Sequence, residues 1–534
     1  MERSCDESEI GGLILFRITN FFMISTSPSD HALLTTRQMA EADRLTTLAG
    51  TPGTALMAEA GAAVVRAIFQ RWLPCPVTVL CGPGNNGGDG FVVAQLLAQA
   101  GWPTRLALLG ERMILKGDAA HHAAQWTGAI EPLSPAVLDG AALVVDALFG
   151  AGLARALQGQ AALTLAAAHN ANLPIVAIDV PSGVMGDTGE YLGEYQGEWL
   201  GQSLSQSSNL VPAALTVTFF RKKPGHVLLP GRFLCGPVVV ADIGTPASVL
   251  ANIDIATFEN APALWQSALP VLQPAGHKYH RGHALILGGY PQTGAARLAA
   301  RAAARSGAGL VTVAVPELAF PIYAASLTSI MVTPLAGPND LVQLLKDSRL
   351  SAFLIGPGYG QSAIALQNTL ALLATGKPCV LDADAITAFT QQAENLAKAV
   401  VGPCVLTPHE GEFSRVFDAS GDKLTRCRRA ARDTGAVVVL KGADTVIAAP
   451  DGRVIVNSNA PPTLATAGAG DVLAGLICGL MAQGMPAFEA AAAGVWLHGA
   501  AAAEFGPGLM AEDLPDLLPR VLHRLLTSNR PDNP

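Results

Sequence analysis

The chain has 534 residues, half of them hydrophobic and 14% charged, and its 34 basic against 42 acidic residues leave a net charge of −8. That length exceeds one ordinary domain and predicts two or three. The acidic balance, with no long basic block, excludes nucleic acid as a main partner, because phosphate backbones draw Lys- and Arg-rich surfaces.

In chain order, the apolar stretch Ile10–Ile24 comes first, interrupted by Arg17, Thr19 and Asn20. It is shorter than the roughly 20 apolar residues a bilayer span takes. The acidic residues before it are unlike the basic start of a signal peptide. Residues 1–30 therefore read as a poorly ordered extension, with no membrane span and a cytoplasmic setting. From Leu33 the pattern becomes regular, and TTRQMAEADRLTTLAGTPGTALMAEAGAAVVRAIFQRW reads as two helices around a Gly/Pro turn. Apolar runs then alternate with Ala-rich stretches: VTVL (77–80), TRLALL (104–109), ALVVDAL (142–148), PIVAIDV (174–180), ALTVTF (214–219) and VVVADI (238–243). Near-continuous apolar strands alternating with helices predict a parallel α/β sheet covered on both faces. The segment 190–212 is polar, Gly/Ser-rich and aperiodic, and reads as a mobile surface loop. Residues 246–270 lose the rhythm and read as a linker.

A second series begins at HALILGG (283–289) and continues through GLVTVAV (309–315), AFLIGPG (352–358), PCVLDAD (378–384), CVLTP (404–408), AVVVLKG (436–442) and RVIVN (453–457). A helical region over Asp471–Phe505 follows. Two α/β domains are expected, over 31–245 and 271–527. The eight cysteines, Cys5, Cys75, Cys81, Cys235, Cys379, Cys404, Cys427 and Cys478, form no C-x-x-C pair. Such scattered thiols read as reduced and mostly buried, against a structural zinc site.

Between the first strand and the next helix lies CGPGNNGGDG (81–90). In an open parallel sheet, ligands sit beyond the carboxyl ends of strands, where helix N-termini favour phosphate. Glycines let backbone approach a ligand closely. The stretch is neither a Walker A loop nor a dinucleotide fingerprint, and by itself could be a tight connection. Two further strand ends share its edge: Asp146 in VVDALFGAGL, and Asp179 with Pro181, Ser182 and Gly183 in AIDVPSGV. Each Asp singly could be a cap or turn former; three polar endings in one domain favour a shared site.

With NNGGDG, DALFGAGL, DVPSGV, KKPGH (222–226) and DIGTP (242–246), residues 33–245 resemble the NAD(P)H-hydrate epimerase domain of the YjeF family. The resemblance implies a Rossmann-like fold binding a hydrated nicotinamide cofactor. It implies substrate contacts from Asn85, Asn86, Gly87, Gly88 and Asp89, and from Gly150, Ala151, Gly152, Leu153, Ala154, Arg155 and Ala156. Asn86, Asp146 and Ser182 would hold a potassium ion, a ligand set of hard oxygens rather than zinc donors. Asp179 would lie against the reacting ring as acid/base.

In the second domain the sharpest string is TAGAGDVLAGLICGL (466–480), where G-A-G opens a helix at Asp471. The turn's N–H groups can hold a transferring phosphoryl group, and Asp471 sits where a base could deprotonate a hydroxyl. A Gly-rich cap with Asp favourable in the first turn is the plain alternative. The companions GGYPQTGAARLAARAAARSGAGL (288–310), LIGPGYG (354–360), LTPHEGEF (406–413) and VVVLKGADTVIA (437–448) break that tie. Together they resemble the ribokinase-like superfamily, and within it the NAD(P)H-hydrate dehydratases, over about 271–527. The resemblance implies that Ala295, Gly358, His409 and Asp471 face the hydrated nicotinamide. Lys441, Gly442, Ala443, Asp444, Thr445 and Gly470 would face an adenine nucleotide. ADP with magnesium is the expected cosubstrate, yielding AMP and phosphate, and a homo-oligomer is expected. Two other readings stay open at this point: a vitamin or sugar kinase in the second domain, and a non-catalytic binding scaffold in the first.

Overall fold

A computed structural model describes residues 27–193 and 211–527. Most of the 1–30 extension and of the 190–212 segment lie outside the described residues.

Seven strands form the first sheet: β1 (Val77–Cys81), β2 (Thr104–Leu108), β3 (Glu131–Pro132), β4 (Leu143–Ala147), β5 (Ile175–Ile178), β6 (Leu215–Phe219) and β7 (Val238–Ala241). Their order is β3-β2-β1-β4-β5-β6-β7, and every pairing is parallel. The chain leaves β1 toward one edge and returns at β4 to build toward the other. The topological switch, where a doubly wound sheet opens a crevice, therefore falls between β1 and β4. Both strands are buried along their whole length, which explains their unbroken apolar reading.

Ten strands form the second sheet: β8 (Thr257–Glu259), β9 (His283–Leu287), β10 (Leu310–Pro316), β11 (Met331–Leu335), β12 (Ala352–Ile355), β13 (Cys379–Leu381), β14 (Cys404–Leu406), β15 (Val437–Leu440), β16 (Val446–Ala448) and β17 (Val454–Val456). The order is β11-β10-β9-β12-β13-β14-β15-β16-β17-β8. It is parallel except where β16 runs antiparallel to β15 and β17. Its switch lies between β9 and β12. The stretch 246–270 does more than join the sheets, since β8 pairs with β17 as the sheet's edge and Trp265 is fully buried in the core.

The glycine-rich stretch after β1 differs from a flexible loop. A helix starts at Asn85 and runs to Gln99, so Gly87, Gly88 and Gly90 lie in its first turns. A Cβ on Gly87 would collide with the Gly82 carbonyl, and one on Gly90 would come 2.6 Å from the Ala147 Cβ. The glycines let the helix N-terminus settle onto β1 and β4, at a helix-propensity cost of about 1 kcal/mol each. The C-terminal helical region is broken at Pro486 into Ala469–Ala482 and Ala487–Phe505, and a further helix covers Leu514–Thr527.

The two units touch closely. Leu33, Val227 and Leu228 of the first pack into a core cluster of the second, and Lys222 pairs with Glu259 at 2.8 Å. Among the described residues no helix is long and apolar enough to cross a membrane.

Candidate functional site

A cavity of about 750 Å³ opens at the β1/β4 switch. Asn85, Asn86, Asp89, Gly150 to Arg155 and Asp179 line it. Three of the residues expected at substrate do not: Gly87 and Gly88 are buried in packing, and Ala156 is exposed outside the lining. Asp179 directly follows β5 with φ +67°, a left-handed conformation uncommon outside glycine. Its Oδ2 accepts from the Ala151 N–H at 2.9 Å. Its Oδ1 accepts from Lys223 Nζ at 2.7 Å and Thr218 Oγ1 at 3.0 Å. Burial pushes the Asp179 carboxyl up, but the Lys223 ammonium and these bonds outweigh it and bring the pKa to about 2. His226, neutral because burial and Lys223 lower it to about 4, donates Nε2–H to the Asp179 carbonyl at 2.8 Å. Asp89 is the opposite case: burial, then the charges of Asp179 and Asp43, raise it well above the ordinary carboxylate range.

Asp146 and Ser182 lie behind this cavity, 2% and 4% exposed. Asp146 accepts from Ser182 Oγ at 2.7 Å, from Ser182 N at 2.8 Å and from Leu148 N at 3.2 Å. All three donors are neutral, and burial raises the Asp146 carboxyl. Asn86 reaches the same loop from the other side, since a Cβ on Gly150 would lie 3.3 Å from Asn86 Oδ1 and 3.0 Å from Asp179 Oδ2. Asn86 Nδ2 is buried without a hydrogen-bond partner.

In the second unit the loops after β9 and β12 converge at the switch. A Cβ on Gly289 would strike the Gly358 carbonyl, and one on Gly358 would sit 3.2 Å from the Ala295 Cβ. Helix Thr293–Arg305 packs along helix Ala469–Ala482, with Gly468 against Leu298 and Gly479 against Ala303. These contacts set the two helices parallel, so both N-termini open at this edge. Asp471 lies in the first turn of the later helix, beyond Gly468 with φ +87°. Burial first, then Asp382 and Glu412, push Asp471 up to about 7, while Lys441 opposes them. Lys441 donates to Asp382 at 2.8 Å and lies 3.9 Å from Glu412. Burial works against its charge, but Asp382 and Glu412 raise it. A Cβ on Gly470 would lie 3.4 Å from Lys441 Nζ, so ammonium and helix N-terminus converge. His409 bridges Lys441 through the backbone, and its Nδ1 accepts from Gly411 N at 3.0 Å.

A cavity of about 700 Å³ beside this cluster is lined by Lys441, Gly442, Ala443, Thr445 and Gly470, together with His498. Asp444 is turned away from it, bonded to Lys423 at 2.5 Å and to the Leu229 N–H at 3.0 Å.

Residues 53–225 match the family model of the YjeF-related protein N-terminus, and residues 284–523 match that of the NAD(P)H-hydrate dehydratases. The bifunctional NAD(P)H-hydrate repair enzyme of Moorella thermoacetica is 37% identical over 530 residues, covering 92% of this chain and 97% of the relative. That of Salinibacter ruber is also 37% identical, covering 92% and 96%. The chain belongs to the family of bifunctional NAD(P)H-hydrate repair enzymes. Among solved structures, the Bacillus subtilis ADP/ATP-dependent NAD(P)H-hydrate dehydratase, crystallised with ATP and Mg2+, is 30% identical. It covers 50% of this chain and 98% of its own, with a TM-score of 0.45.

For this repair-family chain, sequence reasoning passed over Asp43, Lys223, Asp382 and Glu412. Asp382 follows an apolar strand in VLDAD, the same signal that exposed Asp146 and Asp179. It is 2% exposed and accepts from Thr407 Oγ1 at 2.8 Å as well as from Lys441.

Proposed function

We propose that the first unit interconverts the R and S forms of hydrated NADH or NADPH, and that the second dehydrates the S form with ADP, releasing AMP and phosphate. The observation that carries this reading is the pairing of two switch-point sites with carboxylates held in different states. Asp179 is ionised at every ordinary pH, while burial and the charges of Asp179 and Asp43 make Asp89 hold its proton to higher pH than an ordinary carboxyl. Groups whose environments push their pKa values apart suit an acid and a base. Inverting the hydrated carbon needs a proton for the departing hydroxyl and a base for the returning water. Asp89 and Asp179 line one cavity: Asp179 is the acid/base group of this reading, and Asp89 is a carboxyl beside it that holds its proton to higher pH.

The buried Asp146 carboxylate has neutral donors only, so the oxygen set of Asn86, Asp146 and Ser182 suits a potassium ion. That ion would supply the missing positive charge beneath the substrate loop.

In the second unit Asp471, poised at about 7, takes the proton of the ring hydroxyl as it attacks the terminal phosphoryl group of ADP. Lys441 and the Gly470 turn hold the phosphates. Phosphate is a far better leaving group than hydroxide, and its elimination restores the dihydronicotinamide ring. Asp382, Glu412 and Asp471 outnumber Lys441, so the site accommodates the added charge of a magnesium ion carried on the nucleotide; when bound, that ion neutralises phosphate charge. Ala295, Gly358 and His409 form the wall facing the nicotinamide in this reading. A homo-oligomer in a reducing cytoplasm completes it; light scattering tests the assembly.

The test is incubation with mixed epimers of hydrated NADH, potassium, magnesium and ADP. Near-ultraviolet absorbance is followed while AMP and phosphate are counted. Both epimers should recover, with AMP and phosphate matching NADH. Asn86→Ala should leave dehydration of the accepted epimer intact and slow epimerisation at least a hundredfold, on the order expected for an acid–base site that loses its geometry. Asp471→Asn should do the converse. Equal loss of both activities in either variant would refute separate sites.

A further inference from the structure

The cavity beside Lys441 is not built by the second unit alone. Leu229, Arg232 and Phe233 of the first unit stand in its wall. They belong to the segment leading into and through the short helix Gly231–Leu234. That segment is anchored on its own side: Gly231 N donates to the Gly189 carbonyl at 2.8 Å, and Leu234 packs in a cluster with Ala151, Val180 and Val184. From this base it grips the neighbouring unit. Arg232 Nη1 donates to the Ala443 carbonyl at 2.7 Å, and Nη2 donates to the Ser458 carbonyl at 2.6 Å. The Leu229 N–H donates to Asp444 at 3.0 Å.

Ala443 lies in the 441–445 loop after β15, and Ser458 lies just beyond β17. One guanidinium thus ties two loops that flank the same cavity. The planar fork of arginine matches two acceptors at fixed spacing, and the point charge of lysine does not. The cavity also presents what a nucleotide requires: the Lys441 ammonium and a helix N-terminus for phosphates, and apolar surface from Leu229, Phe233, Pro461 and Leu464 for a base.

We infer that the first unit completes the nucleotide site of the second, with Arg232 as a positioning residue that holds the 441–445 loop in shape around a nucleoside diphosphate. The inference rests on the reading above that this cavity takes ADP. It makes the union of the two domains a condition of full nucleotide affinity, beyond the pairing of two activities.

The experiment uses the full chain. ADP with magnesium is titrated calorimetrically without hydrate, and dehydration is measured over a range of ADP. Arg232→Ala should raise Kd and KM for ADP about tenfold, the scale of losing hydrogen bonds from a charged donor, with kcat changed less than twofold. Arg232→Lys should recover little of the affinity. Lys441→Ala separates the two layers of the argument. If it binds ADP like the parent chain, the cavity is not the nucleotide site and the underlying reading falls. If it loses ADP while Arg232→Ala binds normally, the inference alone is overturned. A fall in kcat and melting temperature with unchanged Kd in Arg232→Ala would reduce Arg232 to a structural strut and also overturn it. Should Arg232→Ala fail to fold, Arg232→Lys decides: a raised Kd supports the fork, and an unchanged one refutes it.

Discussion

Two adjacent lysines illustrate how much a single side chain's direction decides. Lys222 turns to Glu259 in the second unit, and Lys223 turns inward to Asp179. The motif KKPGH marks the place, but nothing in a Lys-Lys pair says which ammonium enters the site. With Lys223 and Asp179 only 4% and 17% exposed, removing the ammonium strands a buried charge. Lys223→Met should cost about 3–5 kcal/mol at neutral pH, read by urea unfolding. The folded Asp179 pKa, about 2 against an ordinary 3.8, contributes stability above about pH 3.8 that is lost as pH falls toward 2. In the variant the unpaired carboxyl instead prefers its proton, so the deficit should narrow as pH is lowered; a constant deficit would show that the pair is not its source. Asp471 gives the second prediction at this scale. Its base form is the carboxylate, so kcat/KM for dehydration should rise with pH through about 7 and then level. Lys441 is the group that lowers Asp471, so Lys441→Met should move that midpoint to higher pH. A fixed midpoint would detach the profile from Asp471.

At the scale of elements, the strands that carry the sites were legible because each is buried on both faces and reads as an apolar run. Four strands escaped reading. β3 has two residues, β8 is Thr-Phe-Glu, β11 carries Pro334 with only partial burial, and β16, though fully buried, is only Val-Ile-Ala just beyond the Lys441 turn. The strand-end carboxylates Asp146 and Asp179 were legible from the same apolar runs, and Asp382 obeys the same rule at β13. The glycines of NNGGDG were recognisable as close-approach residues, but sequence alone could not say that the approach is of helix to sheet as much as of backbone to ligand. Helix-to-helix contact uses the same device. A side chain on Gly475 would run into the Ala299 carbonyl, where helix Ala469–Ala482 meets helix Thr293–Arg305. Gly475→Val should therefore destabilise the chain by about 1–3 kcal/mol and also shift Asp471, slowing dehydration while leaving epimerisation unchanged. Wild-type stability in that variant would mean the helices have room to part.

At the scale of the whole molecule, the boundary at residue 271 cuts through the second unit. A fragment 271–527 lacks β8, leaving β17 as a bare edge, and lacks Trp265, whose indole N–H donates to Asn260 Oδ1 at 3.0 Å. Exposed edges invite pairing with other chains, and loss of a buried Trp costs about 3–5 kcal/mol. That fragment should aggregate more on size-exclusion chromatography and melt lower than one beginning at residue 254, which keeps both β8 and Trp265. Identical behaviour would restore 246–270 to the status of a spacer.

The grip of Arg232 on Ala443 and Ser458 also bears on how such a chain can be inherited. Both acceptors are main-chain carbonyls, which any residue at 443 or 458 supplies. A chimera that took its first half from one relative and its second from another would therefore keep the grip wherever position 232 stays arginine and the two loops keep their backbone course, whereas a loop of altered length would break it.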